Sequence, residues 1–476
     1  MALWCIWLIA ALVIYIVQIA AVFFMEHRRP AQLTAWLLLV FVCPIIGFIA
    51  YLLLGKEFTK RRRIERFKQE AVRYASQISE KVSGAADMGN EQFKNQEKLY
   101  AMLAGLVPFP VTRNNEALVL TNGNDTFEAI LEQLEQASHH IHMDYYTIRD
   151  DDIGRRFLQV LMRKAREGVE VRVVYDGIGS LHLSEVYINE LRQAGVRTSC
   201  FLPPRIALLD RKLNYRNHRK IVVVDGKVGF VGGINIGDEY VGKDSKLGFW
   251  RDTHLQLKGD SVYYLQELFM NDWAFAAKEE LDGSAYMPRH LSEGKERVLI
   301  VSSKPGQHDH KIIEVMFAAI TAASTRIYIT TPYFIPDPSL IMGLRTAALS
   351  GVDVRLIIPG NADSILVLLA TLSYIQDMLE AGVKVYRYEK GFVHAKVMIV
   401  DQMLAMVGTA NVDMRSLYSN FELSAVLFDE GTINRLEADF IEDLRHSREL
   451  DRKAFMNRPK RQKAAEALLH MLSPLL

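Results

Sequence analysis

The feature that most constrains this chain is a spaced set of polar residues that occurs twice. The first set is His218, Lys220, Asp225, Gly232 and Asn235, and the second is His394, Lys396, Asp401, Gly408 and Asn411. Counted from the histidine, both sets have offsets of 2, 7, 14 and 17. Independent draws at typical residue frequencies give such a set at roughly 10⁻⁷ per starting position. The runs Ile221 to Val224 and Val397 to Val400 that follow each lysine read as buried strands. A histidine and a lysine two residues apart at the head of such a strand share one face. A cation beside an imidazole is costly in a core unless an anion accompanies both. A purely structural motif leaves that anion unaccounted for, whereas an anionic substrate supplies it.

The two sets sit in a larger repeat. Ile141 to Tyr146 reads as a strand followed by a helix through Phe157, Leu158, Val160 and Leu161, then by the strand Val169 to Val174. Ile327 to Phe334 likewise reads as a strand followed by a helix, then by Val352 to Ile357. Leu191 to Arg197 is echoed by Leu379 to Lys384, with a glycine at the helix end and a strand after it. Gly168 and its echo Gly351 are 183 residues apart, far beyond a solenoid period. The expected fold class is therefore α/β. Two duplicated α/β/α sandwich domains with mixed sheets should meet at one site that draws on both motifs.

The chain opens with two apolar runs, Ala2 to Phe24 and roughly Ala35 to Leu54, each near the ~20 residues that span a hydrocarbon core as helix. The first is long for a signal peptide. The pair therefore predicts a transmembrane helical hairpin over residues 1–55. The intervening loop carries Arg28 and Arg29, and the following flank carries Lys56, Lys60, Arg61, Arg62, Arg63 and Arg66. That excess predicts the flank, the N-terminus and the large C-terminal portion on the cytoplasmic side of the membrane. Residues 56–96 read as a basic juxtamembrane helix (Lys56 to Lys81) and a linker. The two repeats occupy 97–290 and 291–476, the second with a C-terminal helix. In that helix Arg458, Lys460, Arg461 and Lys463 precede an apolar stretch that either packs on the body or dips into the bilayer.

The pattern HxKx4Dx6G[GT]xN, present twice, resembles the phospholipase D superfamily. The flanks Ile234 to Tyr240, Trp250 to His254, Val412 to Ser416 and Asn420 to Glu422 are similar to bacterial cardiolipin synthases, as is the apolar N-terminus. The resemblance covers essentially the whole chain. It implies transfer of a phosphatidyl group from one phosphatidylglycerol to another, giving cardiolipin and glycerol through a phosphatidyl-histidine. Phosphodiester transfer without a metal needs a nucleophile, an acid for the leaving alcohol and fixed positive charge. His218 and His394 supply the first two. By analogy His218 is the nucleophile and His394 the acid/base. Lys220 and Lys396 supply charge, and Asn235 and Asn411 hydrogen-bond donors. The family counts Asp225 and Asp401 in its catalytic motif and implies that they hold the motif loop. Glu422 matches its histidine-orienting acid, with Asp252 as the counterpart.

No cofactor and no metal are expected. His139, His140 and His142, and likewise His308 and His310, lack the further ligands of a closed site. Cys5, Cys43 and Cys200 show neither disulfide nor zinc spacing. Tyr145, Tyr146, Tyr333 and Ser416 either line a cleft or serve packing and capping. A net charge of +1 argues against nucleic acid as partner. The expected partners are phosphatidylglycerol and cardiolipin in an anionic bilayer, and a homo-oligomer stays open. The alternatives are a phospholipase D hydrolase, a phosphatidylserine synthase and, from another class, a non-catalytic lipid-binding protein.

Overall fold

The computed structural model describes residues 2–26, 30–55 and most of 99–475. The expected basic helix and linker over 56–96 lie outside the described residues, as do His308 and Asp309.

Both repeats contribute to one sixteen-stranded sheet: seven equivalent strands each, an edge strand, and the two-residue strand Arg216–Asn217, which pairs off the main path. In the first repeat the seven are β1 (Thr112–Thr121), β2 (His140–Tyr145), β3 (Glu170–Asp176), β4 (Arg197–Phe201), β5 (Ile221–Val224), β6 (Val228–Gly232) and β7 (Thr253–Gly259). In the second they are β8 (Glu296–Ser303), β9 (Arg326–Thr330), β10 (Asp353–Pro359), β11 (Lys384–Tyr388), β12 (Val397–Val400), β13 (Leu404–Gly408) and β14 (Asn420–Leu427), with β15 (Ser447–Glu449) at the edge. The order is β15-β11-β10-β9-β12-β13-β14-β8-β1-β7-β6-β5-β2-β3-β4. Read outward from the central antiparallel pair β1 and β8, both arms have the same sequence of strands. The two sandwiches are thus joined edge to edge, which leaves neither inner edge exposed for foreign pairing.

Helices cover both faces, as buried parallel strands require. Val171 and Val173 of β3 pack with Phe157 and Leu161, while Val174, next after them and on the opposite face, packs with Phe269 and Trp273 of the helix Ser261–Ala277. Gly195 and Gly382 end equivalent helices at φ +96° and +93°, a conformation that favours glycine. The second expected strand, Ile327 to Phe334, stops at Thr330 and resumes as the short strand Phe334–Ile335. Pro332 between them has no N–H to give to a ladder. His140 and His142 sit in the core, each hydrogen-bonded to Gln266 at 3.0 and 2.8 Å.

Asp225 and Asp401 occupy the hairpin loops after β5 and β12, far from the strand ends that carry the histidines, with φ of +53° and +51°. Asp225 accepts from the N–H groups of Ser138, His139 and His140 at 2.8–2.9 Å. Asp401 accepts from those of Ser324, Thr325 and Arg326 at 2.7–2.9 Å. This geometry corrects a catalytic assignment for either aspartate: they tie the motif hairpin to the head of β2 or β9. Burial alone raises the Asp401 carboxyl, but the Thr325 hydroxyl and these amides outweigh it and hold it below the usual range. Asp401→Ala should therefore cost about 2–4 kcal/mol of stability, read by thermal unfolding. The stabilisation is present above the ordinary aspartate pKa and lost as pH falls through the depressed one. An unchanged unfolding temperature in the variant contradicts this role.

The N-terminal region departs from two spanning helices. Among the described residues one helix is long and apolar enough to cross a bilayer: α1 (Ala2–Glu26), over Trp4–Phe24. The second apolar run is broken into α2 (Pro30–Val42) and α3 (Pro44–Leu54). Cys43 leaves helical geometry (φ −132°, ψ 76°) ahead of Pro44, as residues before proline do. The two pieces then fold against each other. Trp36 and Tyr51 meet edge to face with ring centroids 5.4 Å apart. A Cβ on Gly47 would lie 2.6 Å from the Leu39 carbonyl oxygen, so only glycine permits this approach.

The C-terminal helix Lys460–Leu472 packs on the body. Glu466 pairs with Arg458 at 2.6 Å, and Ser473 meets the Tyr374 hydroxyl at 2.6 Å. Leu475 beyond it packs with the α2–α3 pair.

Candidate active site

Two short parallel pairings between the repeats assemble the site. Arg216–Asn217 pairs with Asn420–Phe421, in the register Arg216 to Asn420 and Asn217 to Phe421. The next residues on the two chains are His218 and Glu422, so the register alone sets them opposite each other. The His218 N–H donates to the Phe421 carbonyl at 3.0 Å, and Nδ1 lies 3.0 Å from Glu422 Oε2. Likewise Gly391–Val393 pairs with Phe249–Arg251. The His394 N–H donates to the Arg251 carbonyl at 2.7 Å, and Nδ1 lies 2.8 Å from Asp252 Oδ2. Each repeat thus supplies the acid that orients the histidine of the other. Lys396 Nζ also stands 2.9 Å from His394 Nδ1, but of the two neighbours only the carboxylate can accept a ring N–H. With Nδ1–H given to a carboxylate, Nε2 carries the lone pair.

Both histidines line one cleft of about 500 Å³ together with Asn235, Asn411, Tyr146 and Trp250. Tyr146 meets the His218 ring edge to face at 4.9 Å, and the Trp250 ring lies 5.0 Å from that of His394. Lys220 and Lys396 lie beneath, both buried. Their ammonium groups donate to the carbonyls of His218 at 2.8 Å and His394 at 2.5 Å.

Burial drives the His218 imidazole down to about 4, against the opposing pull of Glu422 and with help from Lys220. Burial and the Lys396 charge bring His394 to about 3, against the Asp252 carboxylate. Lys220 is brought down to about 7 by burial, with Glu422 opposing and Lys396 adding. Lys396 falls to about 8 by burial, against the pull of Asp252. For the two carboxyls burial acts upward but is outweighed: His218 and Lys220 hold Glu422 low, and Lys396 and His394 hold Asp252 low. At neutral pH the cleft's own groups are two neutral imidazoles, two carboxylates and two cations at the edge of losing charge. A bound phosphodiester anion stabilises both lysines and any imidazolium.

The acids differ in length, and the second motif glycine differs with them. Glu422 Oε2 accepts from the Thr409 hydroxyl at 2.5 Å. The shorter Asp252 sits closer to the backbone, so a Cβ on Gly233 would lie 2.1 Å from its Oδ1. Threonine therefore fits beside the glutamate and glycine beside the aspartate.

The asparagines are tied into the cleft wall. Asn235 accepts from the Thr147 N–H at 3.2 Å and donates to the Tyr240 hydroxyl at 2.9 Å. Asn411 hydrogen-bonds Asp413 and keeps a buried, unpaired Oδ1. Ser416 lines the cleft and also hydrogen-bonds Asp413 through its N–H at 2.6 Å. Tyr333 lines it too, bonded to Asp363. Tyr145 is fully buried behind it.

Arginines that the motif reading does not single out also line the cleft, among them Arg216 and Arg415. Arg216 is buried with its Nε unpaired, and burial lowers its pKa despite Asp176 nearby. At the equivalent offsets the other repeat has Phe392 and Glu239. A reading that trusts duplicated positions therefore passes over them. Their signal is their place two before His218 and four after Asn411.

The family model described as "Cardiolipin synthase, PLD-like domain" matches residues 130–273 and 316–444. The one described as "Phospholipase D-nuclease N-terminal" matches residues 5–56. The chain is 44% identical over 466 residues to a cardiolipin synthase of Geobacillus kaustophilus (strain HTA426), covering 97% of this chain and 92% of that one. It is 44% identical over 463 residues to cardiolipin synthase 2 of Bacillus anthracis, covering 96% and 89%. Among solved structures, phosphatidylserine synthase of Haemophilus influenzae Rd KW20 superposes with a TM-score of 0.60 at 15% identity. That match covers 80% of this chain and all of the other, and it supports the fold.

Proposed function

The chain belongs to the phospholipase D-like cardiolipin synthase family, and from that premise we propose that it joins two phosphatidylglycerol molecules into cardiolipin with release of glycerol. The observation that carries this reading is the pair of histidines, each oriented by the other repeat's carboxylate, in one cation-backed cleft. His218 Nε2 attacks the phosphorus of the first phosphatidylglycerol. The P–O bond to the headgroup glycerol breaks, and His394, which takes up a proton on Nε2 when the phosphate anion binds, gives it to that oxygen. A hydroxyl of the second phosphatidylglycerol then passes its proton to His394 and attacks the phosphatidyl-histidine. The P–N bond breaks, cardiolipin leaves, and both imidazoles return to their starting state.

Lys220 and Lys396 offset the charge on the phosphoryl oxygens. Asn235 and Asn411 shape the cleft wall around the phosphate. Arg216 and Arg415 favour an acceptor that carries its own phosphate over water, and so favour transfer over hydrolysis. The chain is membrane-associated. The excess of basic residues after α3 supports a body on the cytoplasmic side of the bacterial inner membrane.

Purified protein given phosphatidylglycerol alone should yield cardiolipin and glycerol in equal amounts by mass spectrometry. Phosphatidic acid as sole product overturns the transferase reading.

The pH dependence tests the charges. In the free enzyme the lysines set the far alkaline side of kcat/KM. That side should fall from about 7 upward, as Lys220 and then Lys396 (about 8) lose their protons. Bound phosphodiester holds the ammonium protons, so the alkaline limb of kcat should lie higher. Coincident alkaline limbs remove the lysines from the phosphate.

A further inference from the structure

We propose that the chain crosses the membrane once, through α1, and that α2 and α3 form a re-entrant wedge in the leaflet next to the catalytic body. The N-terminal end of α1 then lies on the opposite side of the membrane from the active site.

Length is the first ground. At 13 and 11 residues, α2 and α3 reach about 20 and 17 Å, against a hydrocarbon core of about 30 Å. Neither spans the core, and the break at Cys43 prevents them from acting as one rod.

The positions of the hairpin's ends are the second ground. Gln32 near the start of α2 and Leu54 at the end of α3 line the same cavity of about 230 Å³. Asn214, Tyr418 and Leu475 of the body line it too. As one straight helix Gln32 and Leu54 would stand about 33 Å apart. The hairpin therefore enters and leaves at the body surface, and Leu475 packs against its base with Trp36, Val40 and Tyr51.

The tip is the third ground. Phe41, Ile45 and Ile46 flank the turn and are 71–73% exposed, which is tolerable in lipid and costly in water. The hairpin packs beside α1 at Val22, with Ile19 and Tyr15 behind it, so its apolar tip continues the exposed apolar surface of α1. The occupant of this surface is thus the bilayer that already surrounds α1.

Charge is independent of all three. Arg28 and Arg29 precede the hairpin, and Lys56, Lys60, Arg61, Arg62, Arg63 and Arg66 follow it. A two-span hairpin puts two of these eight on the outer side. The re-entrant arrangement puts all eight on the body's side, which satisfies the positive-inside bias without exception and faces an anionic leaflet.

The test is site-specific labelling with a membrane-impermeant maleimide, in right-side-out and inside-out vesicles. In a background with Cys5, Cys43 and Cys200 replaced by serine, single cysteines are placed in a short tag ahead of Met1, at Arg29→Cys and at Gln136→Cys on the exposed body. Positions 29 and 136 should label from the same face and the tag from the opposite one. Tag and position 136 on one face with position 29 on the other would overturn the proposal. Should the serine background lose phosphatidyl transfer, protease protection of an epitope ahead of Met1 on the natural chain gives the same decision. The epitope is then cut in right-side-out vesicles if the proposal holds, and protected if it fails.

Discussion

His218→Ala should lower phosphatidyl transfer about 10⁴- to 10⁶-fold, and His394→Ala about 10²- to 10⁴-fold. The first loses the nucleophile and with it the two-step route. The second loses proton transfer to and from the reacting oxygens, while the attacking imidazole and its lysines remain. Both removals leave a carboxylate facing the gap. Glu422 keeps Thr409 and Asn420 as donors, and Asp252 keeps the Thr253 N–H and the Trp250 indole, so the fold should survive. The assignment of roles is separable from the loss itself. With an activated phosphatidyl ester whose leaving group needs no proton, His394→Ala should form the phosphatidyl-enzyme and stall there, because nothing activates the acceptor hydroxyl. His218→Ala should form none. Intact-protein mass spectrometry reads the adduct, and an adduct in His218→Ala alone would exchange the two roles.

The chemistry of the site was legible in the sequence because duplication repeats it. The pairing of acid with histidine was not. Glu422 meets a histidine 204 positions away, and that meeting depends on the register of a two-residue pairing that no periodicity marks. The continuous sheet escaped for a related reason: β1 and β8 pair at the join of the repeats, where each copy alone shows only an edge. Arg216 and Arg415 escaped because nothing repeats them. The break in the second apolar run escaped as well. Hydropathy averages over Cys43 and Pro44, whereas the fold turns on the missing N–H of Pro44 and the missing side chain of Gly47.

The cross-repeat carboxylates should respond unequally to amide substitution. Asp252→Asn should cost about as much as His394→Ala, 10²- to 10⁴-fold, a scale set by the wrong-tautomer effect in serine proteases. Asp252 Oδ1 accepts the Thr253 N–H at 2.8 Å, a fixed backbone donor, so in asparagine the carbonyl oxygen stays there. The amide nitrogen then faces His394 Nδ1 and offers a hydrogen where one must be accepted. Nδ1 becomes the acceptor, Nε2 takes the proton, and His394 can no longer receive one from the attacking hydroxyl. Glu422→Gln lacks that constraint. Its Oε2 position takes two donors, His218 and Thr409, which favour an oxygen there. Its Oε1 position takes the Asn420 amide at 3.1 Å, and Asn420 has a buried, unpaired Oδ1. Rotating the Asn420 amide lets it accept from the new Gln nitrogen, so His218 keeps its tautomer. What is lost is the charge, and with it the support for Lys220 and for the cationic form of His218. A loss of about tenfold to a hundredfold follows, the scale of one charge-assisted hydrogen bond at about 1.5–3 kcal/mol. Comparing kcat/KM of the two variants decides the matter. Equal losses, or a larger one in Glu422→Gln, would show that charge rather than tautomer governs both histidines.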